Sequence, residues 1–480
     1  MKTPDRTPFD ALCDHLSRRT FLRRTGFSLG TIALGTLLGP AAAAGSASAL
    51  PRRLTHFAPR AKRVIYLDMV GGPSQLDLFD PKPELSRRHG EVCPDEFLRG
   101  ERFAFIRGKP TLLGSNYQFA RHGRSGAEIS ELLPHLAGVA DELTFIRSMH
   151  TDEFNHGPAQ IFQHTGFGRL GRPSLGSWVS YGLGTENENL PAYVVLVSGA
   201  LPGGGSAVWN AGFLPSVHQG VEFRGEGEPV LFLSNPPGQE RSDRRRILDT
   251  IGELDQAHLE AAGNPEIATR IKQYELAFRM QTAVPELMDL GRETPETLTL
   301  YGAQPGKPSF ANNCLLACRL VERGVRMVQL FDDGWDHHGD LGRQLPEKCR
   351  QTDRAVAALV RDLKRRGLLE DTLVVWGGEF GRTPVRQVEQ GDRILTPGRD
   401  HHKGAYTMWL AGGGVKPGVT HGSTDEIGYR IARDPVHVHD LNATVLHLLG
   451  VDHTRLTYRY QGREYRLTDV HGEVVKGILA

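Results

Sequence analysis

The sequence predicts an α/β protein, a three-layer αβα sandwich in which a mostly parallel central sheet lies between two layers of helices. Two observations predict it. Short apolar runs recur, each closed by a polar turn: residues 64–67 ending at Asp68, 143–146, 193–197, 325–331, 373–376 and 406–411. Between several of them lie segments with apolar residues at three- and four-residue spacing and charges in between, notably 312–323 and 352–366. Alternating strands and helices require crossovers, and crossovers place helices on both faces of a parallel sheet.

Each element has a local reason. The run 64–67 is Val-Ile-Tyr-Leu, followed by Asp68 and then Met69-Val70-Gly71-Gly72-Pro73, a strand feeding a turn. Cys314 and Cys318 are four apart in an apolar stretch, which puts them on one helix face as small core residues. The middle third, roughly 202–300, starts rich in loops and continues as a charged helical stretch over 241–290. It reads as an insertion within one domain spanning 50–480. The chain has 56 glycines and 29 prolines, which favours turns and long loops over a helical bundle. A net charge of +1 excludes a strongly basic nucleic-acid binder. Five cysteines are too few for a disulfide scaffold in 480 residues, and they show no paired CxxC zinc signature.

The first 49 residues read as an export signal. Ser17-Arg18-Arg19-Thr20-Phe21-Leu22 precedes a short glycine-dotted apolar run over 27–38, and Ala47-Ser48-Ala49 supplies a small-residue cleavage pattern. The apolar run is shorter than the about 20 residues of a bilayer span, so no stable membrane span is expected in the mature chain. Paired arginines before Phe-Leu point to the twin-arginine translocase as the export partner and to a periplasmic or secreted protein.

Metal-type ligands concentrate where strands should finish. Asp332-Asp333-Gly334-Trp335-Asp336-His337-His338 follows one strand, Gly377-Gly378-Glu379-Phe380-Gly381-Arg382 another, and Gly398-Arg399-Asp400-His401-His402 precedes a third. His150 and His156 follow the run 143–146. Ligand sites in such sheets lie beyond the carboxyl ends of the strands. Imidazole with carboxylate suits a divalent cation, although each cluster alone also reads as a capped turn or solvated loop.

These blocks carry a resemblance over nearly the whole mature chain. Gly71-Gly72-Pro73-Ser74-Gln75-Leu76-Asp77-Leu78-Phe79-Asp80-Pro81-Lys82 resembles the opening motif of an uncharacterised bacterial domain-of-unknown-function family. Its members often carry twin-arginine signals, and it is placed with sulfatases in the alkaline phosphatase-like superfamily. Asn155-His156, the stretch 273–290 and the three strand-end clusters look like its other blocks. The resemblance implies an alkaline phosphatase-like fold and a divalent metal ion: zinc, manganese or calcium. The segment His156-Gly157-Pro158-Ala159-Gln160 through Thr165-Gly166 is similar in spacing to the sulfatase segment Cys-x-Pro-x-Arg, so His156 takes the nucleophile position, to act as nucleophile or general acid/base, and Gln160 the arginine position. No residue for formylglycine remains there, and Cys93 lies outside such a motif. Asp336, His338, Asp400 and His401 are the implied metal set, with Glu379 where relatives carry Asp-His. Asp68 stands where the superfamily places a ligand, or else caps its turn. Arg382 or Arg399 would clamp an anionic group, or else serve the surface. The implied function is an exported hydrolase of sulfate or phosphate esters, acting on a small molecule or a glycan. The alternative is an inactive anion- or glycan-binding protein on the same fold.

Overall fold

Nine strands form the central sheet of the computed structural model, which describes residues 55–98, 106, 108–231, 233–262, 265–390 and 393–480. The expected export signal over 1–49 lies outside these residues. In chain order the main strands are β1 (Arg63–Met69), β2 (Leu143–His150), β3 (Tyr193–Ser198), β4 (Val221–Phe223), β5 (Met327–Asp332) and β6 (Thr372–Gly377). They continue as β7 (Gly381–Gln390), β8 (Arg393–His402), β9 (Tyr406–Ala411), β10 (Val419–His421) and β11 (Val436–His437). The sheet order is β10-β2-β9-β6-β1-β5-β3-β4, with β11 beside β2. Its pairings are parallel except the two made by β9.

The apolar runs form central strands because both faces of the sheet are covered. In β1, Ile65 and Leu67 join the cluster beneath α5 (Phe310–Glu322) and α6 (Leu341–Arg365). Val64 and Tyr66 join the opposite cluster, under α2 (Leu175–Leu183) and α7 (Val438–Leu448). All four are at most 1% exposed. Burial of each such side chain contributes about 1.5–3 kcal/mol. The predicted three-layer sandwich is the observed one.

Helix α5 starts where the Ser309 side chain accepts the Asn312 N–H, at 3.1 Å, and the chain turns away at Gly324. Cys314 and Cys318 are buried on its inner side, as expected. Helix α6 begins at Leu341 rather than near 352, because Pro346 and the exposed charges of its first turns hide the helical period in the sequence. The charged middle stretch forms α3 (Arg241–Ala262) and α4 (Pro265–Met288), tied by an Arg245–Glu275 pair at 2.6 Å. Among the described residues no helix is long and apolar enough to cross a membrane.

One element was not legible in advance. Gly381–Gln390 and Arg393–His402, where no strand was expected, form the antiparallel pair β7–β8, which pairs His401 with Arg382 and Arg399 with Arg386. Its glycines, prolines and charges lack the alternation that marks a half-buried strand.

Candidate metal centre

Parallel strands finish at the same end of the sheet, so the loops leaving β1, β5 and β6 meet there. The turn after β1 carries Gly71, the loop after β5 carries Asp336 and His338, and the turn after β6 carries Glu379. Helix α1 (His156–Thr165) brings His156 at its first residue, and β8 brings His401 near its end. Two glycines allow this convergence. A Cβ on Gly71, at φ +118°, would strike the Asp336 backbone, and one on Gly398 would strike the His338 carbonyl.

His156, Asp336, His338 and His401 offer one ligand atom each, all within 4.8 Å of one another. Asp336 is central. Its Oδ1 lies 3.0 Å from His338 Nε2 and 3.5 Å from His401 Nε2, and its Oδ2 lies 3.2 Å from His156 Nε2. The two imidazole nitrogens of His338 and His401 are 2.9 Å apart.

The outer nitrogen of each ring fixes its tautomer. His338 Nδ1 faces Gln387 Oε1 at 2.7 Å, His401 Nδ1 faces the Phe154 carbonyl at 2.8 Å, and His156 Nδ1 faces Glu379 Oε1 at 2.6 Å. All three partners are oxygen acceptors, so Nδ1 carries the proton in each ring. In a neutral ring Nε2 is then a lone pair directed inward. Three lone pairs and a carboxylate thus converge, with the Arg382 guanidinium, 2.5 Å from Asp336 Oδ1, beside them. Acceptors gathered this way repel one another unless a cation lies between them, and the donor set fits a divalent ion.

With no cation bound, protons on the rings offset this repulsion, and the electrostatics describe the cluster in that state, with the rings donating to Asp336. Burial acts to raise the Asp336 carboxyl, but the three histidines and Arg382 overcome it and hold the group far below the usual carboxylate range. Burial, reinforced by Arg382, pushes His401 down to about 4 despite Asp336. Burial opposes charge on His156 too, yet Asp336 and Glu379 outweigh it and lift the ring to about 9. Asp336 and Glu379 thus favour a proton on His156, as they would favour any cation placed among them.

The other residues singled out in the sequence lie elsewhere or act indirectly. Glu379 is fully buried and accepts from the Gly71 N–H at 3.2 Å, from Gln160 Nε2 at 3.0 Å and from His156, so it orients His156 instead of joining the cluster. Asp400 also stands outside the cluster. Its carboxylate accepts the His401 N–H at 2.8 Å and the Ile106 N–H at 3.3 Å. Asp68 is buried against His164 of α1. Arg382 and Arg399 do not form an exposed anion clamp. Arg382, 1% exposed, holds the Gly71, Gly72 and Arg399 carbonyls together with Asp336. Arg399, fully buried, pairs with Asp77 at 2.8 Å and binds the Leu113 and Thr383 carbonyls. Sequence reasoning missed Gln387 and the Phe154 carbonyl. A backbone acceptor leaves no trace in residue type, and Gln387 sits in a strand pair that the sequence reading did not assign.

A family model described as "Protein of unknown function (DUF1501)" matches residues 61–479. No curated protein matches significantly. Among solved structures, the chain is similar to the PsFucS1 sulfatase from Pseudoalteromonas sp., at 14% identity and TM-score 0.35, covering 82% of this chain and 68% of that one. It is similar to the phosphonate monoester hydrolase SpPMH from Silicibacter pomeroyi, at 12% identity and TM-score 0.27, covering 81% and 73%. A third is the alkaline phosphatase from the Antarctic bacterium TAB5, at 9% identity and TM-score 0.28, covering 74% and 92%.

Proposed function

The chain belongs to the DUF1501 family, and we propose that it is an exported, metal-dependent hydrolase of sulfate or phosphate esters. The observation that carries this reading is the cluster of His156, Asp336, His338 and His401 at the carboxyl ends of β1, β5 and β6, with its lone pairs directed inward. A divalent cation held there would polarise an ester oxygen and lower the pKa of water.

The residues of the chain supply the rest. Asp336 and Glu379 are negative and Arg382 positive, so a divalent ion among neutral histidines leaves the centre with a net positive charge, suited to an anionic ester. The first turn of α1 adds backbone N–H groups and the positive end of the helix dipole. A cavity of about 980 Å³ lies over the ends of β3, β4 and β5, lined by Ser198, Asn313, Asp332, Asp333, Lys348 and Gln351 among others. It shares the loop after β5 with the cluster. Its mixed donors and acceptors suit a hydroxylated small molecule or glycan.

Export rests on Arg18-Arg19 and Ala47-Ser48-Ala49. Replacing both arginines by lysine should stop delivery to the periplasm, and undiminished periplasmic yield would refute the route. For the activity, purified protein should contain close to one tightly held divalent ion and hydrolyse members of a sulfate- and phosphate-ester panel, losing both under chelation. A metal-loaded protein that binds such esters but turns over none would favour the inactive binding protein instead.

A further inference from the structure

We infer that His156 is itself a metal ligand through Nε2 and therefore not a nucleophile, so that the ester is attacked by water and no covalent histidine adduct forms. This rests on the proposed metal-dependent hydrolysis and concerns which atoms carry it out.

The three rings of the cluster repeat one device. In each, Nδ1 donates outward to an oxygen (Gln387, Phe154 or Glu379) and Nε2 faces Asp336. The His156 ring is as firmly fixed as the other two. Glu379, its outer partner, is anchored by the Gly71 N–H and by Gln160, whose Oε1 accepts in turn from the Gly204 N–H at 2.9 Å. Phe380 and His401 pack against the ring with centroids 4.9 and 4.2 Å away. His156 Nε2 is buried and lacks an aligned hydrogen-bond partner among the described residues, although Asp336 Oδ2 is 3.2 Å away. An atom so placed has the position of a metal ligand.

An imidazole with Nδ1 protonated has one lone pair, and that pair cannot hold a cation and attack an ester together. With all three Nε2 atoms committed, the cluster holds no nucleophilic nitrogen. Hydrolysis then proceeds in a single displacement. The bond from water oxygen to phosphorus or sulfur forms as the bond to the alcohol oxygen breaks. The electron pair leaves on that oxygen, and a proton released by water neutralises it. Three imidazoles with one carboxylate also select a borderline ion such as zinc over calcium, which prefers six to eight oxygens.

The test uses the full mature protein, stripped by chelator and reloaded with zinc or cobalt(II). X-ray absorption of the zinc form should count three imidazoles, and two would overturn the inference without any variant. His156→Ala should weaken zinc at least 100-fold in competition with a chromophoric chelator and change the cobalt visible spectrum. Glu379→Gln, which keeps the shape of its side chain, should weaken zinc by about 10–100-fold. If His156→Ala is folded by circular dichroism and binds cobalt with unaltered affinity and spectrum, His156 is not a ligand. Wild-type protein that takes up no metal would instead defeat the hydrolase reading itself, so the two failures are distinguishable.

Discussion

Helix α1 carries two histidines that meet carboxylates, and they do so in opposite ways. His156, at the start of the helix, donates through Nδ1 to Glu379 and turns Nε2 toward Asp336, whose side chain is 42% exposed. His164, near its end, receives the Gln329 amide N–H on Nδ1 at 3.1 Å and donates through Nε2 to Asp68. The Tyr193 hydroxyl fixes this direction by donating to Gln329 Oε1, which leaves the amide nitrogen for His164. There, a donor meets an acceptor and the pair is sealed, both members at most 1% exposed. In the cluster, each ring with its proton on Nδ1 turns Nε2 on a carboxylate, acceptor to acceptor, so that a proton or a cation must come between them. The same residue types thus make a closed core contact in one place and a candidate cation site in the other. What decides is the group behind the ring, which sets the tautomer.

Removing one imidazole from each region should separate them most strongly. His338→Ala and His401→Ala should each abolish metal retention while the protein stays folded, because those rings sit on loops and a hairpin at the rim of the sheet. His164→Ala should keep its metal and lose stability. It leaves Asp68 buried without its donor, and leaving a buried polar group unsatisfied costs about 1–3 kcal/mol. Burial already pushes the Asp68 carboxyl up despite His164, so the variant should fold with Asp68 protonated. Elemental analysis and denaturant melts check both outcomes. A His164→Ala protein of normal stability that has lost its metal would join the two regions into one site.

A smaller effect tests the outer groups. Gln387→Leu removes the acceptor behind His338 while filling similar space. Metal affinity should fall by about 10–100-fold, the usual effect of losing an outer-shell partner. Unchanged affinity would mean that the tautomer of His338 is set by something other than Gln387.

Much of this was legible in the sequence, for physical reasons that differ by element. The central strands were readable because both faces are buried, so each is a continuous apolar run such as residues 64–67. Helix α5 was readable because its apolar period is regular, whereas the first turns of α6 were hidden by Pro346. Three of the four cluster residues were assigned as ligands because strand-end His and Asp residues are rare enough to stand out. His156 was also singled out, but through spacing within a motif, which suggested a nucleophile and said nothing of where Nε2 would point. Asp400 was named as a ligand too, and its carboxylate instead turns to the His401 and Ile106 N–H groups, at a register shift in the β7–β8 pair between Arg399 and His401. Choosing between Asp400 and His401 required the register of the β7–β8 hairpin, which the sequence does not display.

That choice leads to the smallest expected effect. If Asp400 were a ligand, Asp400→Asn would remove one negative oxygen from the metal and weaken it severely. In the observed arrangement its oxygens accept two backbone N–H groups, from His401 at 2.8 Å and Ile106 at 3.3 Å. Asparagine keeps one oxygen acceptor, which can stay with the shorter contact at His401. The NH₂ group then faces the Ile106 N–H and loses that hydrogen bond. One such loss costs about 0.5–1.5 kcal/mol. Metal content should therefore match wild type, with a modest drop in melting temperature. His401→Ala is the control on the neighbouring residue, with stability largely kept and metal gone. If Asp400→Asn instead empties the site as completely as His401→Ala does, the carboxylate must turn inward when the ion binds. The cluster of His156, Asp336, His338 and His401 would then be missing one of its true ligands.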